Sequence, residues 1–327
     1  MQPKPTGLEG MPEFSTSLGC MDAPHVYQGG KVEFTVPVGQ NQGRGDHSMD
    51  FRGGAVGTIT LVQGADDLTE IKYELTVRTD NAELLGPVVL DYPTADEVDT
   101  ARKSSRVQLA TPGIPEGDSA CMRFDATVHV PPRVQTLHVQ THATAQVRFD
   151  AASELSLGSL SVSMYKRDKR NVLLLAEGAR AARTKLRMSE GWLVGDLSVG
   201  DDASLMTQDG DAVLNVRVHP APSAADPPAP VKLATTTGAG RADVVYVERG
   251  APHRPIDASH VVAMHGDLYL TYTDAAFNGT VDLAARSYSA TGLQGTMQQQ
   301  EGLPYVGSRS GGDRMVVKSQ GWAGLYF

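Results

Sequence analysis

Residues 205–218 read LMTQDGDAVLNVRV, two β-type runs on either side of Gly210. Leu205 and Thr207 alternate with other residues in the first run, and Val216 and Val218 do the same in the second. Such alternation is typical of a half-buried strand, and glycine tolerates a left-handed or crowded turn without a Cβ penalty. The stretch is therefore predicted to be two short strands that meet at a glycine.

The same pattern recurs along the chain. From Gly191 onward, successive glycines of the pattern lie about 19 to 29 residues apart. This period indicates stacked units, because two short strands cannot bury an apolar face alone. We expect an all-β fold, a β-helix or solenoid-like stack of short strands with right-handed winding; a β-sandwich of regularly spaced hairpins is the alternative. The glycines are Gly54 near the front and then Gly191, Gly210, Gly238, Gly266, Gly292 and Gly321.

The repeat divides the chain into a looser and a more regular part. Residues 1–150 are predicted to be a strand-rich lead-in, either part of the same stack or a separate β-unit, and residues 151–327 to be the repeated stack. The segment PAPSAADPPAP, residues 220–230, is too rich in proline for a sheet and is predicted to be an exposed insertion. The segment AEGARAARTKLRM, residues 176–188, contains helix formers but is interpreted as an excursion between strands.

Composition excludes some classes of protein. The net charge of −9, without a long uninterrupted basic run, argues against a nucleic-acid surface, which needs clustered Lys and Arg. No run of 18 apolar residues is present, so no membrane span is predicted. The sequence opens without a signal peptide, and the expectation is either an intracellular protein or one whose targeting segment is absent from this chain.

Two features favour the extracellular alternative. Asn278-Gly279-Thr280 is an N-glycosylation sequon beside a turn-forming glycine. Cys20 and Cys121 are the two cysteines of the chain, which permits one disulfide between them, although two buried thiols would explain the pair equally well. The predicted location is secreted or cell surface.

The rungs of Thr or Ser, two residues, glycine and a short β run resemble a known family. They are similar to the adhesin-type β-helical domain of unknown function found in bacterial and fungal surface proteins. The lead-in HVPPRVQTLHVQTHATAQVRFD, residues 129–150, and the rung GWLVGDLSV, residues 191–199, resemble its basidiomycete form. The resemblance covers about residues 125–327 and implies a β-helix-like stack on a secreted or membrane-anchored protein. It implies no catalytic residues.

Acidic residues cluster around two rungs of the predicted stack. Asp201, Asp202, Asp209 and Asp211 would form a calcium site if stacking brought their oxygens together at turns. Asp209 and Asp211, with Arg217 as the base, are the candidates for catalysis on a polysaccharide. The alternative is that aspartate is simply favoured in solvated turns. No cofactor is predicted apart from calcium at these aspartates.

Two tryptophans occupy matching places in the repeat. Trp192 and Trp322 each follow a rung glycine directly, so stacking would put them at equivalent positions on one face. Exposed rings suit the flat faces of sugars, and both residues are candidate glycan contacts. The alternative is that they turn into the core or cap the stack.

These observations favour a non-catalytic extracellular β-solenoid that acts in adhesion, cell-wall attachment or glycan binding. Its partners would be a glycan, a cell-wall polymer or another surface protein, and its oligomeric state is not determined by the sequence. A polysaccharide-active enzyme, a lyase or glycoside hydrolase on a β-helix, is the second hypothesis. A cytosolic interaction module is the third.

Overall fold

The structure is a computed structural model that describes residues 7–41, 44–100, 102–114, 119–207, 212–223, 225–248, 253–295 and 302–327. Strands account for 58% of it and helices for 5%, which confirms the all-β expectation. The chain forms two compact units: the first contains residues 11–179, and the second contains residues 1–10 and 180–327. The boundary expected at residue 150 falls inside the first unit.

The first unit is built from parallel strands that pair across long stretches of sequence. Its one α-helix within the described residues, α1, spans Ala95–Asp99, and short 3-10 helices span Thr16–Leu18, Tyr27–Gly29 and Ala82–Leu85. Its strands are β1 His25–Val26, β2 Val32–Pro37, β3 Gly39–Asn41, β4 Arg44–Arg52, β5 Val56–Gln63, β6 Glu70–Thr79, β7 Val89–Asp91, β8 Arg106–Ala110, β9 Met122–Val130, β10 Val134–Thr141, β11 Ala145–Phe149, β12 Leu155–Met164 and β13 Val172–Leu175.

Two parallel ladders run through the first unit. One has the order β8–β4–β10–β12 and the other β9–β5–β11–β13. Strand β6 pairs antiparallel with β9, β2 and β1. Alternate residues of these strands are buried, as a sheet with one covered face requires.

The second unit is also built around parallel strands. Its strands are β14 Ala179–Met188, which begins at the boundary between the units, β15 Trp192–Thr207, β16 Val213–Pro220, β17 Val231–Thr237, β18 Ala242–Val247, β19 Ile256–Val262, β20 Leu268–Asp274, β21 Gly279–Thr291, β22 Tyr305–Val306 and β23 Asp313–Tyr326. Three of them, β15, β21 and β23, are longer than any strand of the first unit. Residues 221–223 and 225–230, the described part of the proline-rich insertion, form no strand, and most of them are exposed.

We call the two parallel ladders of the second unit ladder A and ladder B. Ladder A contains β14, the end of β15, β17, β19 and the start of β23, followed by the start of β21. Ladder B contains the start of β15, β16, β18, β20 and the end of β23, followed by the end of β21. Strands β15 and β23 belong to both ladders. Seven parallel strands therefore form a closed ring, in the order β15–β16–β18–β20–β23–β19–β17 and back to β15.

A column of small residues marks the corner where the chain passes from ladder A to ladder B. A Cβ on Gly266 would lie 2.3 Å from the Gly240 carbonyl oxygen, and one on Gly321 would lie 2.2 Å from the Gly266 carbonyl oxygen. Gly240 itself lies against Ala212 in the same way. Two of the expected corner glycines were wrong. Gly240, and not Gly238, lies at the corner between β17 and β18, and Gly292 follows the end of β21, outside this column.

The order of the last strands differs from the order of the repeats in the sequence. Strand β23 lies between β19 and β21 in ladder A, so the C-terminal strand is inserted and β21 follows it. Burial explains this order, because Met315, Val317 and Leu325 of β23 are fully buried and need cover from both neighbours. Residues 286–289, in the second half of β21, are exposed and mostly polar, which suits a strand at the end of the ladder, on the far side of β23.

Candidate functional site

The outward-facing residues of ladder B form the surface that carries both tryptophans. In one row, Trp192 lies beside Val213 of β16, and Trp322 lies beside Ser287 of β21. Between the two tryptophans, the same row contains Arg241, directly before β18, and Asp267, directly before β20. The two tryptophans are therefore equivalent in register, with three strands between them. Their rings do not stack on each other.

Trp322 belongs to a cluster that we call the Tyr269 face, made of Arg241, Asp243, Tyr269 and Trp322. The rings of Tyr269 and Trp322 have centroids 4.9 Å apart, and the Arg241 guanidinium lies 4.0 Å from the Tyr269 centroid. Arg241 also donates to both carboxylate oxygens of Asp243, at 2.6 and 2.7 Å. Paired rings beside a forked cation give this face both an apolar surface and fixed hydrogen-bonding groups.

Glycine makes room for the indole of this cluster. Gly324 lies opposite Tyr269 in the register, and a Cβ on Gly324 would lie 2.4 Å from the Cη2 atom of Trp322. The six-membered ring of the indole thus lies over Gly324 of β23. The orientation of Trp322 is set by the strand beneath it.

Neighbouring groups determine the protonation states of Arg241 and Tyr269 in the Tyr269 face. The hydrogen bonds to Asp243 raise the pKa of Arg241, so its guanidinium stays charged. Burial raises the pKa of Tyr269, against the opposing effect of Arg241, so its hydroxyl stays protonated. The face therefore keeps one positive charge, paired with the Asp243 carboxylate, and one neutral hydroxyl near neutral pH.

The structure describes two of the four acidic residues that the sequence grouped. Asp201 is largely exposed and lies 4.0 Å from the Arg254 guanidinium, while Asp202 faces Arg183 and Lys232 in the register. Asp209 and Asp211 lie outside the described residues. Within the described residues no group of three or more His, Cys, Asp or Glu could hold a metal ion.

The catalytic candidate Arg217 lies on the outer face of ladder B. It is exposed and pairs in register with Asp196, whose carboxylate Oδ1 is 2.8 Å from His219 Nε2. Its two proposed partners, Asp209 and Asp211, lie outside the described residues. The described residues thus place Arg217 beside a carboxylate that is already bonded to a histidine.

The asparagine of the candidate glycosylation site is exposed, and the two cysteines lie close together. Asn278 is exposed, and its Oδ1 accepts a hydrogen bond from the Ser308 backbone N–H at 2.7 Å. Thr280 of the sequon follows in β21. Cys20 and Cys121, both in the first unit, lie in disulfide geometry with Cα atoms 5.8 Å apart.

Each unit contains one buried histidine between a tyrosine and a hydroxyl side chain. In the first unit, His47 lies 2.7 Å from the Ser105 hydroxyl and 2.5 Å from the Tyr73 hydroxyl. In the second unit, His260 lies 2.9 Å from the Thr235 hydroxyl and 3.0 Å from the Tyr272 hydroxyl. Both histidines are fully buried, so these groups belong to the core.

Sequence reasoning missed the role of Arg241 in the candidate site. The repeat pattern of the sequence puts Gly238 at the position that Gly266 occupies in the next rung. Alignment on Gly240 instead would have put Arg241 in the row of Trp192 and Trp322, because all three residues follow a corner glycine. The two-residue offset concealed the cluster.

Comparisons with known proteins find similar solved structures but no family. No family model matches the chain, and no curated protein matches it in sequence. A putative adhesin from Bacteroides fragilis is 11% identical, covering 93% of this chain and 98% of its own, with a TM-score of 0.46. Putative adhesins from Parabacteroides merdae and Parabacteroides distasonis are each 10% identical, covering 91% and 90% of this chain and 97% and 96% of their own, with TM-scores of 0.46 and 0.44.

The resemblance to adhesin-type proteins is thus found again among solved structures. At these identities and TM-scores it carries no assignment of function. The geometry of the chain's own residues is what supports the function proposed below.

Among the described residues, no helix has the length and apolar character that a membrane crossing needs.

Proposed function

We propose that the protein is a non-catalytic, surface-exposed adhesion protein that binds glycans through the Tyr269 face. The observation that carries the proposal is the contact of Trp322, Tyr269 and Arg241 on the outer side of ladder B. Two rings tilted by 53° to each other offer sugar rings an apolar surface, and the guanidinium donors of Arg241 that Asp243 does not use offer hydrogen bonds to sugar oxygens.

The proposal includes a β-solenoid as the scaffold, with right-handed winding. Three observations support it: each ladder pairs strands that alternate along the chain, β15 and β23 continue from one ladder into the other, and glycines lie on glycines at the corner. A stack of this kind repeats outward-facing rows, so a long polymer would meet several weak contacts at once. A glycan or cell-wall polymer is the proposed partner.

The proposed location is secreted or cell surface. The disulfide geometry of Cys20 and Cys121 and the exposed sequon at Asn278 both suit an oxidising compartment. Mass spectrometry of the protein from its native source tests this part separately. A glycan on Asn278 or an intact disulfide supports it, and two free thiols without a glycan contradict it.

Binding to a glycan array, with and without calcium, tests the function. We expect Trp322→Ala to weaken binding about tenfold, because the platform loses one of its two rings. Trp192→Ala is the matched control, because Trp192 occupies the equivalent position in the register but lies beside Val213 and not beside an aromatic ring. We expect a smaller loss for this variant.

The array also separates the hypotheses about function. Binding that leaves the glycan intact supports an adhesion protein, whereas a shortened product supports the enzyme. Equal binding by the wild type and Trp322→Ala, with thermal unfolding unchanged, would contradict the proposed face. A calcium requirement would point instead to the aspartates at residues 201–211.

A further inference from the structure

A second candidate binding site lies in the first unit. A cavity of about 540 Å³ opens between the outer face of β5, β9 and β11 and an N-terminal segment, residues 13–20, which we call the strap. This volume lies in the range of small-ligand sites. The sequence offered no signal for it, because the strap and the three strands are far apart along the chain.

The register of the strands places polar side chains on the cavity floor. Arg148 of β11 lies beside Thr60 of β5, and Thr60 lies beside Thr127 of β9. In the neighbouring row, Thr58 donates to the Asp125 carboxylate at 2.7 Å. Alternate residues of a strand share one face, so these side chains all point outward, under the strap.

Buried polar groups hold the strap in place. Arg123 is 1% exposed and donates to the carbonyl oxygens of Ser15 and Gly19 at 2.8 and 2.9 Å. Gln146 is fully buried; its Oε1 accepts from the Ser15 backbone N–H at 2.5 Å, and its Nε2 donates to the Ser17 hydroxyl at 2.9 Å. The disulfide geometry at Cys20 adds a covalent anchor at the end of the strap. The cavity is therefore preorganised.

Arg148 is aimed along the cavity with part of its guanidinium unused. Its Nε donates to the Thr60 hydroxyl at 3.0 Å, and its Cζ lies 4.7 Å from the centroid of the Phe14 ring. Stacking on a ring leaves the edge of a guanidinium free to bind a carboxylate through two hydrogen bonds. Among the described residues, the two Nη atoms of Arg148 have no protein partner.

The other walls offer groups that suit hydroxyls. The Glu13 carboxylate and the Thr127 hydroxyl both line the cavity, and neither has a side-chain partner in the part of the chain that the structure describes. A carboxylate accepts from ligand hydroxyls, and a threonine hydroxyl both donates and accepts. The cavity thus combines one cationic fork with acceptors for hydroxyl groups.

We propose that the strap cavity binds a sugar acid, with its carboxylate on Arg148 and its hydroxyls on Glu13 and Thr127. A neutral sugar lacks the group that Arg148 would bind, and a simple carboxylate lacks the hydroxyls for Glu13 and Thr127. This site lies in the other unit from the Tyr269 face. This proposal therefore does not depend on the proposed function.

Isothermal titration of the whole chain with D-glucuronate and with D-glucose tests the proposal. The two sugars share their ring hydroxyls and differ in the group at C6, a carboxylate in one and a hydroxymethyl in the other. We expect D-glucuronate to bind with millimolar affinity and D-glucose to bind about tenfold more weakly, the difference that one charge-assisted contact contributes.

Two variants assign the contacts. Arg148→Gln should remove the preference for D-glucuronate, and Thr127→Val, which keeps the side-chain shape, should weaken both sugars. Arg133→Gln is the matched control, because Arg133 is an exposed arginine of the same unit that does not line the cavity. It should leave both affinities unchanged.

Three results would overturn the proposal. The first is equal affinity for the two sugars, the second is the absence of measurable D-glucuronate binding at millimolar concentration, and the third is an equal loss in Arg133→Gln and Arg148→Gln. Arg148 is exposed, so Arg148→Gln is expected to fold, and an unchanged thermal midpoint verifies this. Arg148→Gln and Thr127→Val leave the Tyr269 face intact, so the loss of affinity in these two variants, and not the total binding of the wild type, reports on the strap cavity.

Discussion

Acidification from pH 7 to pH 4.5 should lower the free energy of unfolding by about 2.5 kcal/mol for each of His47 and His260. Burial lowers the pKa of each histidine from 6.5 in the unfolded chain to about 3 in the folded protein. The neutral folded form is therefore fully favoured above pH 6.5. Its advantage is lost as the pH falls from 6.5 toward 3, because the unfolded chain takes up protons that the folded core excludes.

Urea unfolding at a series of pH values between 7 and 4.5 measures this effect. The window lies mainly above the range in which carboxylates titrate. His253, whose pKa is raised by Glu248 and Asp313 although burial opposes it, acts in the other direction, since its contribution is complete below pH 6.5 and is lost at higher pH. Unfolding of the two units is followed separately if two transitions appear.

The variant His260→Leu provides the control. It removes the buried imidazole of His260 and leaves His253 in place, so the loss of stability per pH unit should fall by about half, while the acid dependence due to His47 remains. The variant is also less stable at pH 7, because the Thr235 and Tyr272 hydroxyls lose their partner. An acid dependence identical to that of the wild type would contradict the assignment.

Gly266→Ala should lower the free energy of unfolding by about 3 kcal/mol or more, and Gly240→Ala should do the same. The new methyl groups would lie 2.3 Å from the Gly240 carbonyl oxygen and 1.9 Å from the Ala212 carbonyl oxygen. Backbone atoms held by strands on both sides cannot move away as a flexible side chain can. The corner would have to open between the two ladders.

Gly312→Ala is the matched control for the glycine column. Its methyl would lie 3.7 Å from the ring of Pro255, an ordinary contact, and we expect a change within about 1 kcal/mol of the wild type. Thermal and urea unfolding of the three variants give the comparison. If Gly266→Ala and Gly312→Ala were equally stable, the close approach of the corners would be refuted.

Local pattern was sufficient for the strands and for much of their order. Alternation in segments such as Leu268–Asp274 predicted strands that the structure contains, because each strand must bury alternate side chains. The spacing of glycines predicted equivalent corners and put Trp192 and Trp322 in one row. Propensity alone misleads at Ala179–Met188, where helix formers make a strand because neighbouring strands pair with it.

The sites required contacts that no local pattern specifies. Arg241, Tyr269 and Trp322 meet because three strands pair in one register, and a two-residue error in the position of one glycine was enough to hide the cluster. The strap cavity depends on Arg123 and Gln146, which bind a segment more than a hundred residues away along the chain. Such hydrogen bonds have no sequence period.

The amino-acid sequence by itself determined that this chain forms short strands and that glycines recur where many of them meet. Those features arise from residues close together in the chain, whose alternation and backbone freedom act locally. Only the tertiary structure decided that β23 is inserted before β21, that each core encloses a histidine, and which outward side chains become neighbours. These depend on register and burial between distant segments, and a shift of one residue would turn each of those side chains to the other face.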